Sequence, residues 1–103
     1  MKNAGLLLIA MVFSLPAAAQ DLNLNGDWIC GSACMCGMHP GEGSPTSIAQ
    51  NQNSFLFTSE CGMVGHGHII GARSIKIDDW NTTAIASPDQ RTINFDNGAV
   101  WKR

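Results

Sequence analysis

Basic side chains are scarce in this sequence, with six Lys and Arg against eight Asp and Glu in 103 residues. That balance leaves no basic footprint for nucleic acid or anionic lipid. Long apolar runs are also lacking, since the one apolar stretch, Leu6 to Phe13 with Leu15, is too short to span a bilayer as a helix. After Gln20 there is no helical periodicity, because Gly, Pro, Asn, Ser and Thr interrupt every candidate before an apolar residue recurs at helical spacing. Paired Cys-x2-Cys knuckles are absent, Cys30-x3-Cys34-x-Cys36 fitting no standard zinc motif. Neither Gly41-Glu42-Gly43 nor Gly65-His66-Gly67 continues into a phosphate-cradling loop with a following helix, so these glycines read as loop and bulge residues. Asp78 and Asp79 are adjacent, hence on opposite faces of a strand, and read as strand-end solvation rather than as a hydrolytic carboxylate pair. A Cys near a His has the composition of a nucleophilic dyad, but three competing cysteines in an oxidising compartment argue against it. No catalytic residue is assigned, and the chain reads as non-enzymatic.

What is present begins with an address. Lys2 is the only charge before Asp21, the apolar stretch follows it, and Pro16 with Ala17-Ala18-Ala19 supplies a helix breaker and small residues. Residues 1–19 are therefore expected to be a cleavable signal-peptide helix, cut before Gln20. The first cysteine is Cys30, so the acylated N-terminal cysteine of a lipoprotein is not available. The expected product is a secreted or periplasmic protein with no membrane span, a single small β domain over residues 20–103 with formal charge −3. A domain this small gains from staples, and an even count of four cysteines in an oxidising compartment reads first as two disulfides.

The remaining pattern is that of short strands. Trp28 to Gly31 closes a first one; Ser47 to Gln50 and Ser54 to Ser59 flank an Asn51-Gln52-Asn53 turn; Gly67 to Ala72, Ser74 to Asp78 and Thr82 to Ser87 come next. Thr92 to Asp96 and Ala99 to Lys102 form the clearest hairpin. Its loop is either Asn97-Gly98 or Asp96-Asn97-Gly98 with a left-handed Gly98. The longer loop pairs Phe95 with Ala99 and Ile93 with Trp101 and so gathers the apolar side chains on one face, which selects it. The fold expected is all-β, a small antiparallel meander of six to eight short strands forming a barrel or half-barrel, with a two-sheet sandwich as runner-up.

Asn25-Gly26-Asp27-Trp28 resembles the Gly-x-Trp entry of lipocalin-like and avidin-like barrels. The resemblance implies that Trp28 plugs one end of a barrel; it covers only this entry and the strand meander. By area alone, Trp28, Trp80 and Trp101 read as core filling.

Chemistry is concentrated between Cys30 and His68. Cys-Gly-Met occurs at Cys36 and again at Cys61, and His39, His66 and His68 all lie close by. Cys34, Cys36, Met38, His39, Cys61, Met63, His66 and His68 form a soft donor set suited to Cu(I), or to Zn(II) through Cys and His alone. On a strand His66 and His68 share a face and could chelate together. Against this, Cys30, Cys34, Cys36 and Cys61 are all disulfide candidates, and a Cys34–Cys36 ring would be strained. Cys61 is therefore expected to bridge to one of the first three, the other two pairing if they can reach. Two readings of function follow. One is a small non-enzymatic binding or interaction domain stapled by disulfides, without a cofactor, whose partner is a small molecule, a metal ion or a protein. The other is a periplasmic copper or zinc binding protein using the Cys/Met/His cluster.

Overall fold

The computed structural model describes residues 22–36 and 43–103. The signal peptide expected over residues 1–19 lies outside the described residues, as do Met38 and His39. Eight strands follow one another: β1 Gly26–Ser32, β2 Ser44–Asn51, β3 Ser54–Thr58, β4 Val64–Ile69, β5 Ser74–Ile77, β6 Thr82–Ala86, β7 Thr92–Phe95 and β8 Val100–Lys102. Each pairs antiparallel with the next, and β8 returns to β1 to close the barrel. No helix of the described residues is long and apolar enough to cross a membrane.

Alternation decides which side chains enter. Along β3 the apolar Phe55 and Phe57 are buried while Ser54 and Leu56 face out; along β5 Ile75 and Ile77 are buried. Phe57 stands at the centre of the interior, its ring 6.0 Å from Phe55 and Phe95, 5.8 Å from Trp101 and 6.2 Å from Trp80. These are contact separations for tilted and edge-on aromatic pairs. Trp28 and Trp101 are core residues, and Trp80 packs partly buried against the same cluster. The last hairpin takes the three-residue loop: Phe95 N–H donates to Ala99 O at 2.9 Å, Ile93 pairs with Trp101, and Gly98 has φ +97°.

Two segments depart from the sequence reading. The second strand begins at Ser44 rather than Ser47, so Pro45, expected in a loop, lies in the ladder opposite Ile29 with its side chain exposed. Near a strand start, the missing N–H of proline is tolerated. The fourth strand runs Val64–Ile69 rather than Gly67 to Ala72, so Gly65-His66-Gly67 is regular strand and not loop or bulge. The glycines occupy inward positions: a Cβ on Gly65 would lie 2.7 Å from both Ile77 and Trp80, and one on Gly67 would lie 3.0 Å from Ile75 and Phe57. Neighbouring strands fill the volume that β4 leaves empty, which is why a strand this poor in apolar residues is still held.

The two ends of the barrel close differently. At one, Leu22 and Leu24 are buried in the core and the Trp28 indole N–H donates to Leu24 O at 2.8 Å. Gln50 fixes this segment by accepting from Leu24 N–H at 2.7 Å and donating to Leu22 O at 2.9 Å. The Arg103 guanidinium lies 4.3 Å over the Trp28 ring and donates to the carbonyls of Asn23 and Gln90. The other end carries the cysteines.

Candidate functional site

The disulfides are Cys30–Cys34 and Cys36–Cys61, with Cα separations of 5.8 and 6.1 Å. Cys61 thus bridges to one of the first three and the remaining two pair with each other, as expected. The first disulfide ties β1 to the segment leaving it, and the second ties that segment to the β3–β4 turn. With none of the four sulfurs free, the oxidised protein offers no thiolate ligand. The pairing suits an oxidising, extracellular environment.

Sequence reasoning missed Glu60. Its Oε2 accepts a 2.6 Å hydrogen bond from the Cys36 N–H, and its Oε1 is buried without a hydrogen-bond partner. Among the described residues, three metal-capable ligand atoms come within 4.8 Å of one another only around this carboxylate, with Cys30 and Cys34 or with Cys36 and Cys61. The signal available was the adjacency of Glu60 to Cys61, which is uninformative until the β3–β4 turn is known.

His66 and His68 face outward together on β4, with side chains 71% and 50% exposed. They do not join the cysteines. Instead the turn after β5 supplies an acid to each: His66 Nδ1 lies 2.6 Å from Asp79 Oδ2, and His68 Nδ1 lies 3.2 Å from Asp78 Oδ2. An ionised carboxylate only accepts, so the His66 ring donates through Nδ1. Asp79 also accepts from the His66 N–H at 2.8 Å, and Asp78 N–H donates to His66 O at 2.9 Å, which clamps the turn onto β4. The His66 ring bond, followed by the backbone bond, holds the Asp79 carboxyl below the ordinary carboxylate range. The expectation that Asp78 and Asp79 lie on opposite strand faces is therefore corrected: they sit in a turn, where strand alternation no longer applies. Met63, the other candidate near this strand, is exposed just before β4.

Beside His66 the outer wall dips into an open depression of about 280 Å³, lined by Ala49, Gln50, Asn51, Ser54, Phe55 and Leu56 as well as the histidine. At the cysteine-end rim the contrast is sharp, for a gap between Met35, Ser59, Trp80, Phe95, Asn97 and Trp101 measures about 10 Å³, the space of a single water. The class these features define is a closed, eight-stranded antiparallel barrel with a packed interior and one disulfide-stapled rim. No family model, curated protein or solved structure matches the chain.

Proposed function

We propose that this is a small exported binding domain, non-enzymatic, whose barrel is scaffold and whose recognition surface is the outer wall of β2, β3 and β4. The observation that carries the reading is the packed interior: Phe57, Trp28, Ile75, Ile77 and Ile93 occupy the space where a hollow barrel would take a ligand. On the outer wall, the depression beside His66 offers an open recess instead. The charge and apolar pattern of residues 1–19, together with two disulfides, supports the reading of export to a secreted or periplasmic compartment. At one end of the barrel Trp28 is covered by Leu24 and Arg103. The non-enzymatic reading rests on the openness of the wall. Ser54 is the register partner of His68 on β3, yet both side chains stand in solvent with no enclosed pocket to exclude water from a reaction.

The test is an amide chemical-shift map of the disulfide-bonded protein titrated with a small-molecule fragment panel that includes apolar fluorophores. Shifts concentrated on residues 49–56 and 64–69 are expected, with no saturable uptake sensed by tryptophan fluorescence. One-to-one uptake of an apolar ligand that shifts Phe57, Ile77 and Trp101 instead would overturn the reading.

A further inference from the structure

Two imidazoles of one strand, each backed by its own carboxylate, are more than surface ion pairs. Imidazoles that bind metals are commonly oriented from behind, the non-ligating ring N–H being donated to a carboxylate or carbonyl while the other nitrogen keeps its lone pair for the ion. On this wall His66 gives Nδ1 to Asp79 and His68 holds Nδ1 beside Asp78, so both Nε2 atoms are left as the outward ligands. The two residues are separated only by Gly67, about 6.6 Å apart along an extended strand, and both point to the same side. Two imidazoles can converge across that spacing on an ion held at about 2.0–2.1 Å.

From this we infer that His66 and His68 chelate a divalent transition metal, Cu(II) ahead of Zn(II), through their Nε2 atoms, with Asp78 and Asp79 as positioning residues. The inference rests on the outer-wall reading and specifies one ligand for it. Imidazole suits both ions, and the general affinity order places Cu(II) first. The local fold supplies rigidity where it counts. Gly65 and Gly67 seat β4 tightly on Ile77, Trp80, Ile75 and Phe57, while the Asp78–Asp79 turn is hydrogen-bonded to the backbone of His66 on both its N–H and C=O. With two protein nitrogens the site is open: the remaining positions belong to water or to a donor group of whatever approaches the adjoining depression. The cysteines of the sequence-based donor set are not used, because their thiols are oxidised, and the two imidazoles supply nitrogen donors without the Met63 thioether. The metal is thus a hard-to-intermediate divalent ion bound by nitrogen, rather than Cu(I) bound by sulfur.

The experiment is calorimetric titration of the exported, disulfide-bonded protein with CuCl2 and ZnCl2, coupled to copper EPR and to long-range 1H–15N spectra of the histidines. One ion per chain is expected at this site, with superhyperfine coupling from two imidazole nitrogens. His66→Ala or His68→Ala is expected to weaken binding at least tenfold without altering the near-UV circular dichroism. Asp79→Asn is expected to shift His66 toward the Nε2–H tautomer and to weaken binding about tenfold, the lower end of the 10–100-fold range for such supports. A purely structural pair would leave metal affinity unmoved in all of these variants. Affinity unchanged in the double histidine variant, or metal broadening confined to His39 or the N-terminal amine, overturns the inference. Failure here with fragment shifts still on residues 49–56 removes the metal alone; fragment shifts in the interior remove the wall reading itself.

Discussion

The two ends of the barrel solve the same problem by opposite means. At the Trp28 end the closure is made by packing: Leu22 and Leu24 are buried, Trp28 is 1% exposed, and Gln50 and Arg103 satisfy the backbone groups of the covering segment. At the cysteine end the buried positions include the polar Ser44, Ser59 and Thr82, and the segment that leaves β1 carries Cys34 and Cys36 into the two disulfides. Phe95, Ala99 and Trp101 are buried beneath this end as well, and what distinguishes it is that two disulfides constrain the chain leaving β1. One end is thus covered by a folded-back segment held through packing and hydrogen bonds, and the other is tied by covalent bonds.

The contrast is broken most severely by Trp28→Ala. It is expected to cost about 3–5 kcal/mol, as for other large-to-small core changes, in urea unfolding under oxidising conditions. Next comes Cys36→Ser with Cys61→Ser. This bridge closes a sequence separation of 25 residues, and its loss is expected to cost about 3 kcal/mol. Cys30–Cys34, with a separation of 4, constrains far less unfolded-chain entropy, so its removal is expected to cost less through that effect. Reductant should reproduce the disulfide losses in the native sequence while leaving the Trp28 contribution in place. Arg103→Ala, which removes the cation over Trp28 and its donated hydrogen bonds, is expected to cost about 1–2 kcal/mol. The smallest effect is electrostatic and belongs to the cysteine side. Asp79 has a carboxyl lowered by the His66 bond, so its contribution is fully present above the unfolded value near 3.9 and is lost as pH falls through the lower folded value. In a carboxyl NMR titration, His66→Ala should return the Asp79 midpoint toward the ordinary range, and Asp79→Asn should flatten the acid limb of stability slightly.

The same division explains what could be read from the chain beforehand. Strands with alternating apolar residues announced themselves: Ile75 and Ile77, Phe55 and Phe57, and the register that gathers Ile93, Phe95, Ala99 and Trp101. That Cys61 reaches back to the first cluster follows from pairing all four cysteines, and ring strain removes only the Cys34–Cys36 pairing, so the choice of Cys36 as its partner was not legible. β4 was misplaced because its inward residues are Gly65 and Gly67, whose role depends on Trp80 and Ile77 filling the space, a fact of tertiary packing with no local trace. The site divided in the same way. That His66 and His68 share a face follows from strand geometry, whereas the approach of Asp78 and Asp79 depends on where β5 stops and turns. Glu60 between the two disulfides required the pairing of the cysteines to be known first.

The barrel is sealed along a single short seam, where Ile29, Cys30 and Ser32 meet Lys102, Trp101 and Val100. Because that seam is closed, no strand among the described residues presents a free backbone edge of the kind to which a further strand adds. Removing Val100 to Lys102 would take away β8 and leave β1 and β7 each without a neighbour on that side.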